Sequence, residues 1–174
     1  GRYYALHSGE TPEVAEAIFE HYLPRSADDI TPRGAAGLVV GLADRLDSLT
    51  GLFAAGLAPT GTKDPFAQRR AALGLVQALI AWDLDFDLRQ GLAQAAEGLP
   101  VEAGEKVRAA CLEFITARLR SYLMSLPEGL RYDVVDGVLA AQSANPARAL
   151  AAVRQLSQWV RRADWNTILP AYSR

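Results

Sequence analysis

The stretch Asp64-Pro65-Phe66-Ala67-Gln68-Arg69-Arg70-Ala71-Ala72-Leu73-Gly74-Leu75-Val76 decides the fold class. An acidic residue followed by Pro is a helix-start signal: the carboxylate caps free N–H groups, and Pro stands where its missing N–H costs nothing. Phe66, Leu73, Val76 and Ile80 then recur at helical spacing, which predicts a long apolar helix face with Phe66 entering the core. Asp64 is accordingly expected to be the N-cap of the helix that carries Arg69 and Arg70.

The same device appears on both sides of this stretch. Thr11-Pro12 opens a run with Val14, Ile18 and Tyr22 four apart on one face, and Pro24 stops it. Thr31-Pro32 precedes Leu38, Leu42, Leu46 and Leu49, a stripe running to Gly51. Downstream, Asp83-Leu84-Asp85-Phe86-Asp87 leads into a shorter helix that ends near Gly98-Leu99-Pro100. A helix is predicted from Glu102 to about Met124, with Cys111 facing the same core as Val107 and Ile115. Others follow at about 131–141 and 146–162, the latter opened by Asn145-Pro146, and a short terminal one begins near Trp165. The Val/Ile/Thr alternation of strands is absent. The expectation is an all-α protein of about seven helices, divided near residue 100.

Composition narrows the function classes. The 174 residues are half hydrophobic, with 14 Gly and 9 Pro, so neither a disordered nor a collagen-like chain fits. The apolar windows are too short or too interrupted to span a bilayer. Cys111 is the only cysteine, which excludes an internal disulfide and a thiolate metal cluster. Opening at Gly1-Arg2-Tyr3-Tyr4, with no initiator Met and no targeting leader, the chain reads as an excised piece.

Charge is unevenly placed along a chain of net charge −2. Residues 1–100 carry 8 basic and 13 acidic side chains, and residues 101–174 carry 10 basic and 7 acidic. Only the second segment favours phosphate. Its Arg118, Arg120, Arg131, Arg154, Arg161 and Arg162 are interleaved with Tyr122, Tyr132, Trp159, Trp165 and Tyr172. Arginine grips phosphate through a planar fork and aromatics stack on exposed bases, so this composition suits a helical RNA-binding surface.

Two other segments are chemically suggestive. In Leu42-Ala43-Asp44-Arg45-Leu46-Asp47, two carboxylates three apart share neighbouring parts of a helix face, a spacing open to acid–base or divalent-metal work as well as to surface ion pairing. Only His7 and His21 are available as imidazole partners. The loop Pro59-Thr60-Gly61-Thr62-Lys63 lacks the glycine-lysine spacing of a nucleotide loop and follows no strand. Lys63, Arg69 and Arg70 around it are secondary candidates for RNA or interdomain contact.

The order of these segments resembles the beta subunit of the bacterial-type tetrameric glycyl-tRNA synthetase. The likeness rests on Gly1-Arg2-Tyr3-Tyr4-Ala5 with Gly9-Glu10, on Val14-Ala15 through His21-Tyr22-Leu23-Pro24-Arg25, and on Gly41-Leu42-Ala43-Asp44-Arg45-Leu46-Asp47. Above all it rests on Pro59-Thr60-Gly61 with Lys63-Asp64-Pro65-Phe66-Ala67-Gln68-Arg69-Arg70-Ala71-Ala72-Leu73-Gly74. The resemblance covers the whole chain but only an internal part of a longer subunit. It implies that residues 1–100 are the later portion of a helical HD-like domain. Asp44 would then stand at the position of the final metal-binding Asp of HD phosphohydrolases, as a vestige whose companion ligands would precede Gly1. Residues 101–174 would be the beginning of a helical anticodon-binding-type domain, truncated at Arg174, which falls on the Arg of that domain's Lys/Arg-Val-x-Asn-Ile motif.

The resemblance further implies a non-catalytic, cytoplasmic segment with no metal or cofactor of its own. It would hold glycine tRNA through Arg118, Arg120, Arg154, Arg161, Arg162 and Arg174, beside the rest of the beta subunit. The alpha subunit would bind ATP and Mg²⁺ and activate glycine. Against this stand a metal-dependent HD-type phosphohydrolase centred on Asp44 and a purely structural helical module.

Overall fold

The computed structural model describes residues 1–165, 167 and 170. Among these, eight α-helices and no strand are found: α1 Arg2–His7, α2 Pro12–Glu20, α3 Ala35–Ala54, α4 Gln68–Ala81, α5 Leu88–Glu97, α6 Glu105–Ser125, α7 Tyr132–Gln142 and α8 Pro146–Trp159. The all-α expectation holds, with one helix more than the sequence suggests because α1 has only six residues and no cap signal. Of the expected terminal helix, Trp165, Thr167 and Pro170 are helical, and its other residues lie outside the described ones.

Helix α4 is the centre of the molecule. Gly74, Leu75, Val76, Gln77, Ala78 and Leu79 are buried in unbroken succession, so the helix is covered on every side rather than along one stripe. Helices α3, α6 and α8 pack around it. The stripe Leu38, Leu42, Leu46 and Leu49 of α3 is buried as its spacing requires, and so is Cys111, Ile115, Leu119 and Leu123 of α6, four apart throughout. One contiguous apolar cluster takes in residues on both sides of position 100, from Leu38 to Val153. The Leu88 N–H also donates to the Ala144 carbonyl at 2.8 Å, tying the start of α5 to the loop before α8.

The Pro-led helix starts fare differently. Thr11 and Asn145 are the caps of α2 and α8: their side-chain oxygens accept the N–H groups of Val14 and Arg148, with Pro12 and Pro146 in the first turn. The other two starts need correction. Asp64-Pro65-Phe66-Ala67 is a tight turn closed by the Ala67 N–H on the Asp64 carbonyl at 3.1 Å, and α4 begins only at Gln68. Pro65 presets the turn at its second position. Phe66 is thereby turned outward, 51% exposed, instead of entering the core. Asp64 nonetheless caps the helix from three residues upstream of the N-cap position: its carboxylate accepts the N–H groups of Gln68 at 2.8 Å and Arg69 at 2.9 Å. The N-cap position itself is Ala67, in the left-handed region at φ 54°.

Helix α3 likewise begins after Gly34, not at Thr31-Pro32. Its cap comes from another element. The buried Glu20 carboxylate, at the end of α2, accepts the N–H groups of Arg33 at 2.9 Å and Gly34 at 2.8 Å. Pro32 is buried, and its carbonyl accepts the Trp82 indole N–H at 2.7 Å. On α2 the predicted face is also wrong: Val14 and Tyr22 are exposed, while Ala15 and Glu20 turn inward. A small residue and a capping carboxylate there allow α2 to lie close against Gly37 of α3, where a Cβ would stand 2.5 Å from that of Glu20.

Candidate nucleic-acid interface

Of the candidate arginines of the second segment, Arg120, Arg154, Arg161 and Arg162 are exposed and Arg118 is half-buried; most are already in ion pairs. Arg120 on α6 grips Asp136 on α7 with a two-point fork, Nε to Oδ1 at 2.6 Å and Nη2 to Oδ2 at 2.9 Å. Arg154 on α8 pairs in the same way with Glu128 in the loop after α6, its Nε lying 3.2 Å from Oε2. Arg162 pairs with Asp164, two residues on, at 2.8 and 2.6 Å. These hydrogen bonds hold the carboxyls of Asp136, Glu128 and Asp164 below the usual carboxylate range. Arg131, another basic member of this segment, is paired with Asp133.

Arg118 and Arg161 have no ion pair among the described residues, nor does Arg108, which donates to the Ala103 carbonyl at 2.9 Å. The Arg118 guanidinium lies 5.4 Å from the centre of the Phe114 ring, and its buried Nε finds no hydrogen-bond partner among the described residues. Arg161 is exposed and has no ion pair among the described residues. Arg174 lies outside the described residues. Exposed ion pairs contribute only about 0–1 kcal/mol each, so a phosphate can displace the carboxylate at little cost while the guanidinium is already oriented.

The second basic group spans the connection between α3 and α4, at Lys63, and the first turn of α4, at Arg69 and Arg70. Lys63 and Arg70 are exposed and have no ion pair among the described residues. Arg69 is different: its guanidinium donates to the Gly61 carbonyl and lies 4.0 Å from Asp64, so it serves the loop rather than solvent.

Asp44 is exposed on α3, as is Asp47. No group of three or more His, Cys, Asp or Glu residues that could hold a metal ion occurs among the described residues. Asp47 borders an apolar groove of about 700 Å³ between α3 and α5, lined by Leu42, Leu46, Phe86 and Gly91. His21 leans on the Tyr22 ring at 3.8 Å between centroids.

The residue next to Asp44 is the one that sequence reasoning missed. Arg45 is buried, and its guanidinium donates to the carbonyls of Gly41 at 2.8 Å, His21 at 3.0 Å, Tyr22 at 3.0 Å and Leu23 at 2.8 Å, with Pro24 at 3.4 Å. It thereby satisfies the whole turn after α2. Burial pushes its pKa down from the ordinary arginine value, and neighbouring Asp44 acts in the opposite direction. The signal was present: Arg45 falls three after Leu42 and four before Leu49, on the core stripe. A charge there must be matched by buried acceptors.

Comparison with known proteins places this surface in context. Residues 1–140 match the family described as glycyl-tRNA synthetase beta subunit. The chain is 48% identical over 147 residues to the glycine–tRNA ligase beta subunit of Syntrophomonas wolfei, covering 82% of this chain and 21% of the relative. It is 46% identical over 154 residues to that of Picosynechococcus sp., covering 86% and 21%. With that of Moorella thermoacetica the identity is 41% over 182 residues, covering 100% and 26%. The chain thus spans about a quarter or less of the length of these curated relatives. No described helix is long and apolar enough to cross a membrane. On the match over residues 1–140 and these identities, the chain belongs to the glycyl-tRNA synthetase beta subunit family.

Proposed function

We propose that this chain is the tRNA-holding and architectural segment of a glycine–tRNA ligase beta subunit. In this reading it supports the reaction of ATP, glycine and tRNA to give glycyl-tRNA, AMP and pyrophosphate. It works in the cytoplasm, with the rest of the beta subunit and with an alpha subunit that binds ATP and Mg²⁺ and activates glycine. The chain itself holds glycine tRNA and contributes no catalytic group. Residues 1–100 are the later portion of an HD-like domain, with Asp44 as a vestige, and residues 101–174 open an anticodon-binding-type domain.

The family match over residues 1–140 carries the proposal. Its local support is the set of outward-facing guanidiniums at Arg120, Arg154, Arg161 and Arg162, held in exposed pairs or unpaired among the described residues. Such groups exchange a carboxylate for a phosphate readily.

The test uses the full-length beta subunit assembled with its alpha subunit. Charge reversals at Arg154, Arg161 and Arg162 are expected to weaken tRNA binding and charging, while ATP–pyrophosphate exchange reports glycine activation separately. Each genuine phosphate contact that is lost lowers the logarithmic salt slope of binding by roughly 0.7–0.9. An unchanged affinity and slope would leave these arginines as structural groups and favour the purely structural module.

A further inference from the structure

The loop between α3 and α4 is held far more firmly than its exposure requires. Thr60 and Lys63 exchange backbone hydrogen bonds, at 2.9 and 3.2 Å. The Gln68 side-chain amide donates to the Leu57 carbonyl at 2.7 Å, and Arg69 donates to the Gly61 carbonyl. Asp64 spends one carboxylate oxygen on the Gln68 N–H and the other on the Arg69 N–H. A loop pinned at these points loses little further entropy when it meets a ligand.

What this frame presents to solvent is an exposed aromatic ring, with an exposed cation three residues before it and another four residues after it in sequence. Phe66 is 51% exposed although the tight turn could as well have been built on a polar residue. Lys63 and Arg70 flank it in sequence, and the carboxylate next to Lys63, Asp64, is already committed to backbone N–H groups and Arg69. Gly61, at φ 51°, has open space where a Cβ would stand, so the turn can be approached closely.

We propose that this loop binds an unpaired nucleotide of the tRNA, the Phe66 ring stacking on the base and Lys63 and Arg70 holding the adjoining phosphates. The proposal rests on the tRNA-holding reading above and names a place for it outside the second-segment arginines. An unpaired nucleotide is favoured over duplex because only a splayed base offers its face to a ring. It is favoured over a protein partner because Lys63 and Arg70, with no ion pair among the described residues, match phosphate, and an apolar docking site would not need them.

The full-length alpha/beta complex and a glycine-tRNA transcript provide the test, by fluorescence anisotropy across a salt series. Phe66→Ala should loosen binding by about 5- to 100-fold with the salt slope unchanged, and Phe66→Trp should keep the parent affinity. Lys63→Ala and Arg70→Ala should each lower the slope by about 0.7. If the reversals at Arg154, Arg161 and Arg162 weaken binding but Phe66→Ala does not, the loop proposal falls and the tRNA-holding reading stands. If the wild-type complex binds tRNA no better than the alpha subunit alone, both fall. If Phe66→Ala loosens subunit association in sedimentation and leaves tRNA affinity of the assembled complex intact, the loop is a protein contact and the proposal is overturned.

Discussion

The Nη1 of Arg45 donates to the Gly41 carbonyl at 2.8 Å, and a Cβ on Gly41 would stand 2.8 Å from that same nitrogen. The two residues occupy successive turns of α3, and the guanidinium folds back over the space that the glycine leaves open. The His21 carbonyl closes that space from the other side, 2.7 Å from where the Cβ would be. Gly74 of α4 completes the chamber, with its own Cβ position 3.0 Å from Arg45 Nε.

Gly41→Ala should therefore destabilise the protein, although alanine is ordinarily worth up to about 1 kcal/mol over glycine within a helix. Overpacking against a backbone carbonyl and a fixed guanidinium costs about 1–3 kcal/mol. A melting temperature lower by several degrees is the expected outcome in a thermal scan; a rise would mean that the turn after α2 gives way freely.

Replacing Arg45 itself strands several buried carbonyls at once. Arg45→Met keeps the volume and removes the donors, and a loss above about 3 kcal/mol is expected in urea denaturation. Arg45→Lys should recover little, since one ammonium cannot reach acceptors that a planar fork spans.

Asp64→Ala should cost about 0.5–2 kcal/mol, because two N–H groups at the start of α4 lose their acceptor. Asp64→Asn retains one acceptor oxygen and should fall between the two. Equal melting of the Ala variant and the parent would show that water replaces the carboxylate without loss.

Cys111 is fully buried, and burial pushes its thiol pKa up to about 12. Labelling by a thiol reagent at neutral pH should be slow in the native state and fast after denaturation, as both access and thiolate are scarce. Rapid native labelling would mean that α6 opens locally.

The Arg120–Asp136 pair gives a measurement of opposite sign. Asp136→Asn releases the guanidinium from a competing carboxylate, so tRNA affinity of the full-length complex should rise by about two- to five-fold if Arg120 meets phosphate. Because Asp136, Glu128 and Asp164 titrate below the ordinary carboxylate range, these pairs are complete above about pH 5. They are lost as pH falls through the depressed values, with a small effect on stability because all three are exposed. Affinity that is indifferent to Asp136→Asn would remove Arg120 from the proposed RNA contacts.

The helical class and most of the core were legible because their signals are local and periodic. Leu38, Leu42, Leu46 and Leu49 announce one face of α3, and Cys111 with Ile115 announces one face of α6. Thr11 and Asn145 announce their caps in the same way. Phe66 and Glu20 were illegible for the opposite reason. Whether Phe66 faces in or out depends on a turn that delays α4 by a few residues, and Glu20 acts on N–H groups 13 and 14 residues away. Periodicity also could not separate Val14, which stays outside, from Ala15, which goes in. At the candidate RNA-binding arginines, the charges were visible in the sequence and their ion-pair partners were not, since Arg120 meets an acid 16 residues on and Arg154 one 26 residues back.

The Glu20 carboxylate also couples the stability of α2 to that of α3. The first turn of α3 has no side chain of its own to start from, so it is secured only when the end of α2 has arrived, closing a connection of 13 residues between Glu20 and Gly34. Closing that connection costs chain entropy before the cap can repay it. The docking of α2 and the securing of the start of α3 thus stabilise one another. The same docking holds the carbonyls of residues 21–24 against Arg45, so the buried charge and its acceptors depend on the contact between α2 and α3.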